Sequence, residues 1–210
     1  MKPQEIEALS FQIIEKEAGN HGFDETHWPV VRRVIHTSAD FEYIRTIRFG
    51  NHAVEKGISA IQNGCDIVTD TNMARVGIRT KEIAHFGGTV SCLMTDPGVA
   101  KQAAAHGTTR ALAAVDLAAG RMGNAIYVVG NAPTALLRLI ELIREGTAAP
   151  ALVIGLPVGF VNAAESKLEL LVLDIPYITN EGRKGGSNVA AAVVNALAIL
   201  AYDRAIRETR

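Results

Sequence analysis

The stretch AIYVVGNAPTALLRLIELI, residues 125–143, carries the signals that decide the fold. Its first part is apolar at every position, which is typical of a parallel strand that helices cover on both faces. Gly130 and Asn131 then form a turn, and Pro133 suits the first turn of a helix. The stretch therefore predicts a buried strand that leads directly into a helix.

Four further runs share this β-rich character, and helical stretches separate each from the next. They are DIVT (66–69), TVSCL (89–93), ALVIG (151–155) and PYIT (176–179). Before them, apolar residues recur at helical spacing in two N-terminal segments and again over residues 51–62. The pattern predicts an α/β fold: a three-layer, doubly wound sheet of about five mostly parallel strands, with N-terminal helices, in one domain spanning residues 1–210.

The composition limits the kinds of partner. The chain has 210 residues, 48% of them hydrophobic, and its 21 Lys and Arg nearly balance 22 Asp and Glu. A net charge of -1 gives no overall field for nucleic acid or an anionic membrane, so local arginines must meet any anionic ligand. The N-terminus lacks the apolar core of a signal peptide, and no apolar run is expected to reach membrane-spanning length. We expect a soluble, cytoplasmic protein.

Metal and cofactor signatures are missing from the sequence. Cys65 and Cys92 form no CxxC pair and are expected to be buried structural thiols. The six histidines show no metal-ligand spacing, and the sequence contains neither a P-loop nor a GxGxxG after the first strand. We therefore expect no metal site and no cofactor, and a nucleotide-dependent enzyme is disfavoured.

Ligands of doubly wound sheets lie outside the carboxyl ends of the strands. Gly, Asn and Asp residues concentrate at these predicted ends, for example Asp70-Thr71-Asn72 and Gly130-Asn131. Taken singly, each is explained equally well as a turn or cap residue. Their concentration at one edge nominates that edge as the ligand site.

Two polar segments lie next to predicted helix starts. In EGRKGGSN (181–188), consecutive glycines precede a helix whose N-cap is expected at Ser187, so this segment is either an anion cradle or a flexible connector. In GTTR, residues 107–110, Arg110 falls in the first turn of a helix, where a cation gains nothing from the helix dipole. Arg110 is therefore either a carboxylate-binding group or a solvated surface arginine.

His36 stands out among the histidines because of its surroundings. It falls near the end of the second predicted helix, one turn after Arg32 and Arg33, and short side chains follow it. A histidine exchanges a proton near neutral pH, so this position suits proton transfer. A histidine at a helix end also compensates the helix dipole, and residues alone leave both interpretations open.

Seven segments together resemble the precorrin-8X methylmutase family, in the family's order and over nearly the whole chain. They are SFQII, RRVIHTSADFE, CDIVTDTNMARVGI, GTTRA, GNAPTALLRLIELI, GLPVGFVNAAESK and GRKGGSNVAAAVVNAL. The strings GNAPTAL and PVGFVNAAESK are highly specific. The HTSADF form of the histidine motif resembles the cobalt-precorrin-8 methylmutases of the anaerobic cobalamin pathway.

The resemblance implies an isomerase of cobalamin biosynthesis that moves a methyl group from C-11 to C-12 of a corrin precursor. The product would be cobyrinate from cobalt-precorrin-8, or hydrogenobyrinate from metal-free precorrin-8X. An intramolecular shift needs neither a protein nucleophile nor a methyl donor, which agrees with the missing motifs. Any cobalt would arrive inside the substrate.

The resemblance also implies roles for individual residues. His36 matches the family's catalytic histidine and is assigned as proton donor and acceptor. Ser10, Arg33 and Arg110 match substrate-contacting positions. The remaining candidates are Arg79, at a position where some relatives carry threonine, and the backbone at Gly130, Asn131, Gly185 and Gly186.

The family further implies a homodimer with the substrate near the subunit contact. One alternative function uses the same cavity, namely a corrinoid carrier that binds the product without catalysis. A base at His36 favours the enzyme over the carrier.

Overall fold

The computed structural model describes residues 2–208, and these fold into a six-stranded sheet with helices on both faces. The strands are β1 (Ile47–Gly50), β2 (Ile67–Thr69), β3 (Val90–Cys92), β4 (Ile126–Val129), β5 (Leu152–Gly155) and β6 (Tyr177–Asn180). Their order is β1-β6-β5-β4-β2-β3, and every pairing except β1 with β6 is parallel. The predicted α/β class and parallel sheet are confirmed.

The helices of the described chain connect these strands and cover the sheet. They are α1 (Pro3–Ala18), α2 (Trp28–Ser38), α3 (Tyr43–Thr46), α4 (Ala53–Gln62), α5 (Asn72–Gly77), α6 (Thr80–His85), α7 (Pro97–His106), α8 (Arg110–Ala119), α9 (Pro133–Arg144), α10 (Ala163–Leu171) and α11 (Ser187–Glu208). The predicted N-terminal helices are α1 and α2, and the third predicted helix is α4.

The side chains of strand β4 contribute to two apolar cores, one on each face of the sheet. Its side chains alternate between the faces of the sheet, so Ile126 and Val128 join α2, α4 and α11 in one apolar cluster. Tyr127 and Val129 join α8 and α9 in a second cluster on the other face. Each fully buried side chain of this kind contributes roughly 1.5–3 kcal/mol, which is why β4 is apolar throughout.

Strand β1 corrects the predicted count of about five strands. It is a four-residue edge strand that pairs antiparallel with β6, from Ile47 opposite Asn180 to Gly50 opposite Tyr177. A Cβ at Gly50 would lie 2.3 Å from the Tyr177 ring, so the close pairing requires glycine. The sequence IRFG carries no apolar run of its own, because pairing with β6 rather than a local pattern makes it a strand.

Helix α11 corrects a second expectation. By length and composition alone, Ser187–Arg207 is apolar enough to cross a membrane, contrary to the expectation that no run reaches that length. In the fold, α11 packs against α2, α4 and α5. Val193, Leu197 and Ala201 on it are fully buried. The helix is apolar on most sides because other elements of the protein cover it.

The order of the strands locates the crevice where a ligand is expected. From β2 the chain winds outward to β3, whereas from β4 it winds the other way through β5 to β6. The direction therefore reverses between the neighbouring strands β2 and β4. Ligands of such sheets bind at this reversal, outside the carboxyl ends of the strands.

Candidate active site

His36 lies in the last turn of α2. The helix ends there because Ala39 adopts the left-handed conformation, with φ 54°, and its N–H donates to the carbonyl of Ile35 at 2.7 Å. The Ser38 hydroxyl donates to the carbonyl of Val34 at 2.8 Å. This firm helix end holds His36 at an exposed position.

The imidazole of His36 is oriented by packing and leaves its polar atoms free. Its ring centroid lies 5.1 Å from that of Phe11, in an edge-on arrangement that ties it to α1. Within residues 2–208, neither ring nitrogen of His36 has a hydrogen-bond partner. Either nitrogen can therefore give a proton to a ligand or take one from it.

Two cavities meet at His36. The first, which we call the α1 cavity, measures about 390 Å³ and is lined by Ser10, Ile13 and Phe41 as well as His36. The second, the α11 cavity, measures about 330 Å³ and is lined by Arg33, Thr37, Arg79, Asn188 and Asn195 as well as His36. The structure thus brings four predicted site residues together: Ser10, Arg33, His36 and Arg79.

The arginines of the α11 cavity are each held by a carboxylate. Arg33 pairs with Glu7 of α1 and holds the pKa of that carboxyl below its usual value. The Nε atom of Arg79 donates to Glu82 at 2.9 Å, and this hydrogen bond raises the pKa of Arg79. A guanidinium has five N–H donors, so both arginines keep donors that a ligand carboxylate can use.

Ser10 reaches the α1 cavity from the other side of His36. Its hydroxyl donates to the carbonyl of Ile6 at 2.9 Å, one turn back on α1. A hydroxyl oxygen has two lone pairs, so Ser10 can still accept a hydrogen bond from a ligand.

Arg110 lines neither of these cavities. It is the first residue of α8, where Thr109 caps the helix by accepting a bond from the N–H of Leu112 at 3.2 Å. The Arg110 side chain is exposed and has no ion pair or hydrogen bond with any described residue. Within one chain, Arg110 therefore does not join the group around His36.

The backbone at Gly130 and Asn131 is already occupied. The buried carboxylate of Asp70 accepts N–H bonds from Gly130 at 2.9 Å and from Asn131 and Ala132 at 2.8 Å. Burial raises the pKa of Asp70 although these three bonds act in the opposite direction. The two predicted backbone donors thus stabilise the start of α9, whereas the exposed side chain of Asn131 remains free.

The Gly185–Gly186 segment is neither an open anion cradle nor a flexible connector. Gly186 donates its N–H to the carbonyl of Leu156 at 2.9 Å, and a Cβ at Gly185 would lie 2.3 Å from the same oxygen. Ser187 does not cap α11 as expected, because it is the helix's first residue and its hydroxyl pairs with that of Thr71 at 2.8 Å. The segment is a close contact between loops.

Several residues of the site were not predicted. Asn188, Ala191, Ala192 and Asn195 line the α11 cavity, and their spacing places them on one face of α11. This spacing was a signal in the sequence, but polar residues at both ends of an alanine-rich face resemble an ordinary exposed stripe. Phe11, which orients His36, carried no such signal.

The cysteines lie apart from this site. Cys65 is buried, as expected, and burial raises its pKa to about 12. Cys92 is only half-buried, which corrects the expectation for that thiol. Within residues 2–208, no three His, Cys, Asp or Glu side chains come together as possible metal ligands.

Known proteins match this chain over nearly its whole length. The family model described as precorrin-8X methylmutase matches residues 5–200. The cobalt-precorrin-8 methylmutase of Priestia megaterium is 49% identical over 96% of this chain and 89% of its own length. That of Salmonella typhimurium is 46% identical over 93% of this chain and 94% of its own length.

A solved structure agrees with these relatives. The precorrin-8X methyl mutase from Thermus thermophilus superposes with a TM-score of 0.90 and 48% sequence identity, covering 96% of this chain and 97% of that one. Both the fold and nearly half of the aligned residues are therefore shared. The chain belongs to the precorrin-8X methylmutase family, whose members are isomerases of cobalamin biosynthesis.

Proposed function

We propose that this chain moves a methyl group from C-11 to C-12 of cobalt-precorrin-8, giving cobyrinate. Both curated relatives described above are named cobalt-precorrin-8 methylmutases, which favours the cobalt form over metal-free precorrin-8X. The carbon–methyl bond at C-11 breaks as the bond at C-12 forms, so no atom enters or leaves the substrate. The metal is part of the substrate, and the reaction uses no cofactor of the protein.

The observation that carries this proposal is the free imidazole of His36 between two cavities. His36 gives a proton to the macrocycle to favour the tautomer that rearranges, and takes one back when the product forms. The ring ends each cycle in its starting state. General acid–base catalysis of this kind contributes about 10²–10⁴ to a rate.

The arginines account for binding of a polycarboxylate. Arg33 and Arg79 line the same cavity as His36 and keep N–H donors beyond those that Glu7 and Glu82 occupy. Substrate carboxylates bind these donors as charge-assisted hydrogen bonds. The macrocycle then lies across His36, with Ser10 on its other side.

Exposed apolar side chains beside the site fit the remaining surface of the macrocycle and a second subunit. Ile13 lines the α1 cavity and is 48% exposed, whereas Met73 and Val76 of α5 are 69% and 71% exposed. Apolar side chains exposed to this degree suit a surface that a second subunit covers. We assign the protein a homodimeric state in which this surface is covered.

A homodimer also gives Arg110 its role. Arg110 is exposed, unpaired among the described residues and outside both cavities of its own chain. Near a subunit contact, it can reach a substrate carboxylate in the partner's site. Arg110→Ala then weakens substrate binding without changing kcat, and an unchanged substrate affinity would count against this role.

The remaining assignments follow from charge and fold. The chain acts as one domain over residues 1–210 and works in the cytoplasm. A net charge of -1 provides no general attraction for nucleic acid or an anionic membrane surface. The exposed side chain of Asn131 is a secondary substrate contact, whereas Gly130, Gly185 and Gly186 support the site through the close packing they allow.

The test is to mix the purified protein with cobalt-precorrin-8 and, separately, with precorrin-8X, and to follow the absorption spectrum as conjugation changes. We expect conversion of both, faster for the cobalt form. Tight binding of both compounds without any spectral conversion would instead identify a corrinoid carrier and overturn the isomerase. Faster conversion of precorrin-8X would overturn the choice of substrate.

A further inference from the structure

Lys167 is a buried cation that the proposed reaction does not use. It lies on α10, is 0% exposed and lines neither of the cavities at His36. Lysine is almost never fully buried unless its charge is satisfied. The cost of burying this ammonium points to a specific task in the fold.

The Lys167 ammonium holds one loop, residues 181–186. Its Nζ donates to the side-chain oxygen of Asn180 at 3.0 Å and to the carbonyls of Gly182 at 2.8 Å and Lys184 at 2.5 Å. An ammonium has three donors, and all three are used. Because the acceptors lie on Asn180, directly before the loop, and on Gly182 and Lys184 within it, the ammonium fixes the curvature of the first part of the loop.

The loop held by Lys167 is connected to the wall of the α1 cavity through Lys184. The Lys184 side chain crosses to the segment after α2 and donates to Asp40 at 2.5 Å and Glu42 at 2.8 Å. Burial acts to raise the pKa of Asp40, but the bond and the charge of Lys184 together with the bond from the Glu42 N–H outweigh it, and the pKa is lowered. Asp40 lies between Ala39 and Phe41, which both line the α1 cavity beside His36.

The same loop leads into the α11 cavity. Asn188, two residues after Gly186, lines that cavity, and its side chain folds back so that a Cβ on Gly186 would lie 2.7 Å from its oxygen. The loop therefore supports one wall of each cavity. Lys167 itself lines neither cavity.

We propose that Lys167 is a positioning residue, which holds the loop over residues 181–186 so that Lys184 and Asn188 fix the two cavity walls beside His36. This inference rests on the proposed function for its effect on turnover. Its effect on the order of the loop is independent of that function.

Lys167→Met tests the contact between Lys167 and the loop, because methionine keeps much of the volume and removes the charge. Lys184→Met tests the contact of the loop with Asp40 and Glu42, and Lys184 itself is exposed. Lys101→Met is the control, since Lys101 is exposed on α7 and has no ion pair with any described residue. We expect kcat to fall about tenfold or more in the two loop variants, since small displacements of a substrate are costly, and within twofold in the control.

The pH profile separates positioning from general stability. Burial lowers the pKa of Lys167 to about 8, so above that pH the group becomes an amine with two N–H donors for three acceptors. We expect the kcat of the wild type to fall as the pH rises through about 8. Lys167→Met should lack that step, because it has no group to deprotonate.

Among the described residues, no charged side chain contributes to the shift in the pKa of Lys167. Titratable and charged groups on the surrounding elements are Glu165 and Glu169 on α10, Arg138, Glu141, Arg144 and Glu145 on or after α9, Tyr177 on β6, and Glu181, Arg183 and Lys184 in the loop. None of these side chains bonds the ammonium, whose acceptors are all neutral oxygens. Burial is the cause of its pKa shift.

Hydrogen exchange measures the loop without any substrate. The N–H of Gly186 donates to Leu156, and that of Gly159 donates to the carbonyl of Arg183 at 3.2 Å. We expect both amides to exchange at least tenfold faster in Lys167→Met and at the wild-type rate in Lys101→Met. Wild-type exchange, kcat and pH profile in Lys167→Met would overturn the proposal.

Two further results distinguish a failure of the positioning role from misfolding of Lys167→Met and from a failure of the proposed methyl shift. If Lys167→Met does not fold, a wild-type kcat in Lys184→Met overturns the proposal, and a tenfold loss supports it. If the wild type converts neither substrate, the proposed methyl shift fails, and the exchange rates at Gly159 and Gly186 alone decide the positioning role.

Discussion

Two regions of this protein each carry an ionisable side chain at the end of a strand or helix, but they differ in what its polar atoms do. At the end of β2, Asp70 is buried and accepts three backbone N–H bonds that open α9. At the end of α2, His36 is exposed and its ring nitrogens have no partner among residues 2–208. The polar atoms of Asp70 are occupied within the fold, whereas those of His36 are available to a ligand.

The difference explains why position alone does not identify an active site. Asp70 lies at the reversal of strand order, where ligands of doubly wound sheets bind, yet its bonding capacity is used within the protein. His36 lies on a flanking helix and is accessible from two cavities. Substitutions at the two residues should therefore affect different properties.

Replacing His36 should have the largest effect, and it should be on turnover. We expect His36→Ala to lower kcat by about 10²–10⁴, the usual contribution of a general acid–base group. The free energy of unfolding should change by less than about 0.5 kcal/mol, because the side chain is exposed. Stopped-flow absorption and urea denaturation measure the two quantities.

His27 provides the control for His36. It precedes the same helix, but its Nδ1 is bound to Asp24 at 2.7 Å. His27→Ala should leave kcat unchanged within about twofold, since this half-buried ring lines neither cavity at His36. Equal losses of kcat in His27→Ala and His36→Ala would contradict a specific role for the free ring of His36.

Replacing Asp70 should instead lower stability. Asp70→Ala leaves one buried and two part-buried N–H groups without their acceptor, so we expect the free energy of unfolding to fall by about 3 kcal/mol. Asp96 caps α7 from an exposed position by accepting one bond from Gly98, and Asp96→Ala should cost about 1 kcal/mol. The kcat of folded Asp70→Ala should stay within about threefold of the wild type; a loss comparable to that of His36→Ala would contradict a purely structural role.

The pair Arg32 and Arg33 sharpens the comparison within one helix. Both stack on Phe11, at 4.4 Å and 4.8 Å, and both pair with a glutamate of α1. Only Arg33 lines a cavity at His36. Lysine keeps the charge but lacks the planar fork, so Arg33→Lys should raise KM about tenfold, equivalent to about 1.4 kcal/mol, at constant kcat.

Arg32→Lys serves as the matched variant for steady-state kinetics. Its KM should match that of the wild type within about twofold, because its partner is Glu15 and not the substrate. A similar rise in KM for both variants would mean that α1 packing, rather than a substrate contact, determines the effect of Arg33.

The smallest effect is expected at the end of α2. Ala39 has φ 54°, a conformation that glycine adopts without cost, so Ala39→Gly should raise the free energy of unfolding by about 0.5 kcal/mol. The position of His36 is unchanged, and kcat should stay within about twofold. A lower stability by urea denaturation would show that Ala39 contributes packing that outweighs the strain.

Much of the fold could be predicted because its signals are local. The five parallel strands are apolar runs bounded by turns, and Pro133 marks the start of α9. Strand β1 could not be predicted, since IRFG becomes a strand only by pairing with β6. The apolar face of α1 was predicted, but Ile6 and Leu9 on it stay exposed at 52% and 45%, which depends on what covers them.

The site divides in the same way. Motif resemblance found His36, Ser10 and Arg33, which the structure brings together. Sequence patterns could not reveal that the Asp70 carboxylate binds the backbone amides after β4. Nor could they reveal that the Lys167 side chain is buried, because lysine side chains are usually exposed. Both depend on a side chain that bonds to the backbone of another segment of the chain.

The most direct test of proton transfer by His36 is chemical rescue. In His36→Ala, the α1 cavity leaves room for a small base where the ring stood. The measurement is the rate at which this variant converts cobalt-precorrin-8 as imidazoles of different pKa are added. We expect conversion to return and its rate to follow the pKa of the added base. A variant that still binds the substrate but is rescued by none of these bases would contradict proton transfer by His36.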